Sequence, residues 1–84
     1  MYSLEFKERV IKDFNKIPQK DKIKIWDKLQ KLKNEPRMKS TRKLTGRDDE
    51  YRIRYGNYRV IYQIDDLSQK VFIIEVGHRK EIYK

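Results

Sequence analysis

The chain has 84 residues, no cysteine, one histidine, and 22 Lys/Arg against 13 Asp/Glu, for a formal net charge of +9. That length suits one small domain spanning residues 1–84, and the residue counts leave no disulfide framework, no thiolate metal site and no expected cofactor. The opening Met1–Lys7 lacks the apolar core of a signal peptide, and no apolar run approaches the ~20 residues needed to span a bilayer, so a soluble, cytoplasmic protein with no membrane partner is expected.

An excess of nine positive charges on so small a domain points to a polyanionic partner, nucleic acid foremost. Binding to an anionic membrane would need an exposed apolar stripe on a basic helix. The helical stripes of this chain are needed for its core.

Tyr2-Ser3-Leu4-Glu5-Phe6 alternates apolar and polar residues and reads as a first strand, with Tyr2, Leu4 and Phe6 on one side. From Lys7 to Ile17 the period changes: Val10, Phe14 and Ile17 recur at helical spacing, with Ile11 beside them. Pro18 ends that helix and suits the start of the next. Gln19 to about Asn34 predicts a second helix, striped by Ile25, Leu29 and Leu32 with Trp26 assigned to the core beside them. Its many lysines form a face of the kind that is usually solvated. With almost no loop between them, the helices predict an antiparallel hairpin. Pro36 stops the second helix, and residues 35–50 read as a highly charged loop.

Tyr51 to Tyr62 predicts two strands joined at Gly56-Asn57, a two-residue hairpin turn. The register then sets Tyr55 opposite Tyr58, Arg54 opposite Arg59 and Ile53 opposite Val60. Alternation collects Tyr51, Ile53, Tyr55, Tyr58, Val60 and Tyr62 on one face, and Arg52, Arg54, Arg59, Ile61 and Gln63 on the other. Like charges directly opposite one another destabilise a sheet, so an Arg54–Arg59 pair is either splayed into water or kept for a purpose. A turn at residues 65–68 leads to a last strand, Lys70 to about Val76, with Phe72, Ile74 and Val76 expected on one face.

The order strand–helix–helix–strand–strand–strand predicts a two-layer α+β domain. The helix pair covers one face of a mainly antiparallel four-stranded sheet. No helix remains for the other face, so its arginines are expected to line an open surface.

Lys43-Leu44-Thr45-Gly46, Tyr51-Arg52-Ile53-Arg54, Gly56-Asn57-Tyr58-Arg59-Val60-Ile61-Tyr62 and Val76-Gly77-His78-Arg79-Lys80-Glu81-Ile82-Tyr83 together resemble the RelE-type toxins of the RelE/ParE toxin–antitoxin superfamily. The element order fits that family from Tyr2 to Tyr83. The resemblance implies a metal-independent mRNA endoribonuclease that acts on the ribosome, inhibits translation and is neutralised by a cognate antitoxin. It further implies that Arg59 holds the scissile phosphate and that Arg79 stabilises developing charge or assists departure of the 5′ oxygen. Tyr83 would stack on the RNA or aid proton transfer. Arg52 and Arg54 stand where the best-known member has lysines, and Arg42, Lys43 and Arg47 join them as candidate RNA-binding residues.

Those roles agree with the chemistry of RNA cleavage by the ribose 2′-OH, which needs a base, an acid and cations on the non-bridging oxygens. Arginine suits the last task because its planar fork grips phosphate bidentately. A phosphate bound between Arg54 and Arg59 would relieve their repulsion. Arg54 departs from the family's lysine, though, and its pKa above ~12 makes it a poor base. Proton abstraction then falls to His78, Tyr83 or a ribosomal RNA group. His78 has the only side chain that ordinarily titrates near neutrality, yet strand alternation points it away from Arg79, so a structural role stands beside the catalytic one. Thr45 is a second departure, at a position where the best-known member has an arginine.

Two other functions fit the same fold. One is a ParE-type poison that blocks DNA gyrase; the other is a catalytically weak RNA-binding relative. For any of the toxins, an antitoxin with an acidic, partly disordered segment would complement the basic surface.

Overall fold

A computed structural model describes residues 1–37, 42–43 and 50–78. The elements are β1 (Ser3–Phe6), α1 (Glu8–Asn15), α2 (Gln19–Lys31), β2 (Arg42–Lys43), β3 (Glu50–Tyr55), β4 (Tyr58–Asp65) and β5 (Lys70–His78). They form one sheet of order β1-β5-β4-β3-β2. β1 runs parallel to β5, and the remaining pairs are antiparallel. The α+β architecture matches expectation, with β2 added: two residues, Arg42 and Lys43, pair with Arg52 and Tyr51. A two-residue strand has no periodicity to betray it. No described helix is long and apolar enough to cross a membrane.

The β3–β4 hairpin has the predicted register, with Tyr55 opposite Tyr58, Arg54 opposite Arg59 and Ile53 opposite Val60. Gly56 takes φ +55°, and Asn57 is not among the positive-φ residues. Glycine in the left-handed region at the first of two turn positions is the type II′ arrangement, whose twist matches that of the strands.

β5 does not keep a simple alternation. Tyr62 pairs with Ile73 while Ile61 pairs with Glu75, leaving Ile74 as a bulge. An extra residue flips the face of everything beyond it. The expected trio Phe72, Ile74 and Val76 is therefore split: Val71, Ile73 and Val76 belong to the core, and Phe72 lies on the other face. The bulge also leaves the Ile74 carbonyl available, and Arg9 Nη2 donates to it at 3.1 Å while pairing with Glu75 Oε1 at 3.3 Å.

Between helices and sheet, Val10, Ile17, Ile25, Leu29 and Leu32 pack on Ile53, Val60, Tyr62, Val71, Ile73 and Val76, with Tyr2, Leu4, Phe6 and Phe14 closing the margin. The helical spacing of those residues is what aims them at the sheet. Trp26 differs from expectation. It is 43% exposed, stacked on Phe6 at 5.8 Å and tilted against Phe14 at 6.0 Å. Ile25 already occupies the inward position on that turn, so the neighbouring indole falls to the rim.

Two polar ties fasten the segment after α2 to the sheet. The hydroxyl of buried Tyr62 donates to the Pro36 carbonyl at 2.7 Å. Arg37 donates to both carboxylate oxygens of Asp66 at 3.0 Å and to the Tyr51 hydroxyl at 3.1 Å, while Tyr2 donates to Asp66 at 2.6 Å. The tie links the N-terminal strand, the exit of α2, β3 and the β4–β5 turn.

Tyr62→Phe leaves the Pro36 carbonyl buried without that donor and is expected to cost about 1–3 kcal/mol, read as a lower urea midpoint at unchanged slope. The hydrogen bond from Arg37, followed by that from Tyr2, holds the Asp66 carboxyl below its ordinary range. A carboxylate depressed in the folded state contributes stability above its unfolded pKa of ~3.9 and loses it as pH falls through the folded value. Asp66→Asn should therefore flatten the loss of stability on acidification below about pH 4. Urea unfolding at stepped pH measures it; equal slopes in both proteins would refute the tie.

Candidate nucleic-acid interface

The sheet face turned away from the core cluster carries Glu50, Arg52 and Arg54 from β3, Arg59, Ile61 and Gln63 from β4, and Phe72, Glu75 and Gly77 from β5. Alternation along paired strands puts them there. Arg54 is exposed, Arg52 half-buried and Arg59 buried, at 4% exposure. The expectation of an open arginine surface is thus corrected at its centre. β4 is the middle strand of five, so Arg59 and Ile61 have neighbours on both sides and no free edge, and both are buried.

The geometry around Arg59 follows from the turn. In a two-residue hairpin the pair closing the turn, Tyr55–Tyr58, is hydrogen-bonded, and the next pair, Arg54–Arg59, is not. Non-hydrogen-bonded pairs are the closer ones, with Cα atoms about 4.5 Å apart. Two guanidiniums are therefore rooted at the tightest spacing a sheet offers. On the other flank Arg59 faces Gly77. A glycine within a strand has no side chain to pack and often marks a close approach of another group. Gly77 was the residue that reading for charge passed over; a glycine interrupting a strand pattern was the available signal.

The acids on this face are already engaged. Glu75 pairs with Arg9, and Glu50 accepts a hydrogen bond from Gln63 across the strands at 3.3 Å. The arginines of this face stay protonated at any accessible pH.

The other sequence candidates divide. Arg42 and Lys43 form β2, whose backbone pairing brings that strand beside Arg52. His78 does not join the arginines. It pairs with Tyr58 on the helix side of the sheet, its ring edge-on to the tyrosine at 5.7 Å and 79°. Arg47, Arg79 and Tyr83 lie outside the described residues. Among the described residues no cluster of three His, Asp or Glu side chains is placed to hold a metal ion.

If Arg54 and Arg59 repel each other across the hairpin, replacing the exposed partner should help the empty protein. Arg54→Gln is expected to raise stability by up to about 1 kcal/mol at low salt, shrinking toward zero at ~1 M salt, where the screening length is ~3 Å. Paired urea titrations at the two ionic strengths measure this. A loss of stability at low salt would refute the repulsion.

The family model for the ParE toxin of type II toxin–antitoxin systems, parDE, matches residues 4–83. The mRNA interferase toxin RelE of Escherichia coli strain K12 is 36% identical, over 98% of this chain and 90% of that protein. The crystal structure of the isolated E. coli RelE toxin superposes with a TM-score of 0.85 at 34% identity, covering 99% of this chain and 92% of the other. The toxin in the crystal structure of the intact E. coli RelBE toxin–antitoxin complex gives 0.84 at 34% identity, covering 93% and 96% respectively.

Proposed function

The chain belongs to the RelE/ParE superfamily of type II toxin–antitoxin toxins, and from that premise we propose that it is an mRNA endoribonuclease working on the ribosome under the control of a cognate antitoxin. The observation that carries the proposal is the buried Arg59, facing Arg54 across the hairpin and Gly77 across β5. A buried arginine rooted opposite a second arginine, at the close spacing of a non-hydrogen-bonded pair, suits a preorganised cationic cradle for one phosphate. Such fixed charge, placed before the substrate arrives, is the largest aid to reactions that build negative charge.

In this reading Arg59 grips the non-bridging oxygens of the scissile phosphate and Arg54 closes on them from β3. Arg52 and the basic residues Arg42, Lys43 and Arg47 take neighbouring backbone phosphates, which position the RNA without reading its sequence. The ribose 2′-oxygen attacks the adjacent phosphorus as the bond to the 5′ oxygen breaks, giving a cyclic 2′,3′-phosphate and a free 5′-OH. The 2′ proton leaves to a base, and the departing oxygen takes one up. Arg54 cannot be that base, and His78 sits on the opposite face of the sheet. The proton therefore goes to Tyr83 or to a group of the ribosomal RNA, with Arg79 supporting the phosphorane charge. No cofactor enters this scheme. The antitoxin would meet the same surface with an acidic segment, since complementary charge accelerates encounter and selects the partner.

The test is cleavage of a translated message on programmed ribosomes. Arg59→Lys keeps the charge and loses the fork, so the rate should fall about 10²–10³-fold with unchanged circular dichroism. Unimpaired cleavage by the lysine variant would remove Arg59 from the phosphate. If expression of the wild-type protein stalls DNA replication while translation continues, the chain is instead a gyrase poison of the ParE type.

A further inference from the structure

Phe72 is an aromatic side chain that the core does not use. Among the described residues, every other phenylalanine and tyrosine belongs to the core cluster or packs against it. Phe72 instead lies, partly exposed, on the arginine face, where it pairs with Gln63 of β4 and Glu5 of β1. Beside it is a cleft of about 440 Å³, lined by Phe72, Gln63 and the start of the β4–β5 turn, including the fully exposed Leu67. Sites for small ligands have volumes of roughly 300–1,000 Å³, with apolar walls and a few polar groups that fix orientation.

The chemistry of this face changes along β4. Arg59 and Gln63 lie four residues apart in that strand, about 13 Å at the usual rise. Arg54 and Arg52 stand toward the Arg59 end. Glu5 and Glu50 stand at the Gln63 end, with Asp65 and Asp66 in the wall of the cleft. A phosphate suits the first end and is repelled at the second. A nucleobase suits the second, because it is uncharged, stacks through its faces on an aromatic ring and carries its polar groups on its edge. The Gln63 amide is oriented for such an edge. Its Nε2 donates to Glu50 Oε2 at 3.3 Å, and since an ionised carboxylate only accepts, the nitrogen is the end turned toward Glu50. The amide oxygen is then the end that accepts from a base.

We infer that the cleft lined by Phe72, Gln63 and Leu67 is a nucleobase site, in which the Phe72 ring stacks on a base near the phosphate held at Arg59. Gln63 accepts a hydrogen bond from the exocyclic amino group of that base, which favours adenine or cytosine over uracil, whose corresponding edge carries an acceptor. That an RNA strand delivers the base rests on the nuclease reading. The site itself rests on the β4–β5 register and the cleft.

The first test titrates the full chain with cytidine 5′-monophosphate, uridine 5′-monophosphate and ribose 5-phosphate, followed by NMR. The cytidine nucleotide should move the Leu67 methyl and Gln63 side-chain amide signals, and ribose 5-phosphate should leave them in place. Phe72→Leu should weaken the cytidine nucleotide at those signals about fivefold to a hundredfold, the usual range for losing one stacked base. Phe72→Tyr keeps the ring and should bind within about twofold of wild type, with thermal melts showing both variants folded. The uridine nucleotide should bind about twofold to tenfold more weakly than the cytidine one, the range expected for one hydrogen bond, and Gln63→Leu should abolish that difference. The second test is single-turnover cleavage of ribosome-bound messages that lack one base of the codon in turn. One of these abasic positions should slow the wild type and leave Phe72→Leu unaffected.

Leu67 and Gln63 signals that the cytidine nucleotide leaves unmoved would overturn the inference. So would abasic positions that slow Phe72→Leu as much as the wild type, since Phe72 would then act on the fold and not on a base. Equal affinity for the two nucleotides in the wild type would overturn the role given to Gln63. Should the wild-type protein cleave no message, the nuclease reading falls. The titrations then decide the site by themselves: base-dependent shifts that weaken in Phe72→Leu and return in Phe72→Tyr uphold it, and identical titrations in all three proteins overturn it.

Discussion

A guanidinium buried in the middle strand of a small sheet is the group around which the remaining structure has to be arranged. Removing a charge from water is expensive, and the interior tolerates it only where the surroundings are shaped for it. Here Arg59 has an arginine on one flank and a glycine on the other, at the central position of a five-stranded sheet. Neither neighbour is what packing alone would choose.

The scaffold that holds this arrangement is made of ordinary parts. Gly56 supplies the positive φ that a two-residue hairpin requires, and this sets Arg54 against Arg59. The bulge at Ile74 keeps Val71, Ile73 and Val76 all in the core. Without the extra residue, either the two ends of β5 or the strand's partners would have to change face. The carbonyl left over by the bulge is taken by Arg9, whose other contact neutralises Glu75 on the arginine face. One irregularity of the backbone thus serves both the core and the electrostatics of the site.

The polar ties on the opposite margin act on the chain's path. Pro36 and Arg37 are fastened to Tyr62, Tyr51 and Asp66 just before the segment that leads to β2. Because β2 pairs with β3 beside Arg52, the ties set where that basic strand starts its approach to the sheet. Their strength depends on a carboxylate that stays ionised, which links the entry of the segment to pH only in the acidic range.

Much of the fold was legible from local rules. Helical spacing of Val10, Ile17, Ile25, Leu29 and Leu32, alternation at Tyr2, Leu4 and Phe6, and the Gly56-Asn57 turn each depend on residues near one another in the chain. They determined the element order, the hairpin register and the Arg54–Arg59 pair. What only the tertiary structure decided was set by neighbours distant in sequence. Arg59 is buried because β5 and β3 flank it, Trp26 lies at the rim because Ile25 took the inward position, and β2 exists only through its pairing with β3. The single residue that shifts the face of β5 leaves no trace in an apolar run such as Val71-Phe72-Ile73-Ile74, where every residue suits either side. His78 belongs to the same class: its identity suggested proton transfer, and its pairing with Tyr58 sets it on the face away from Arg59.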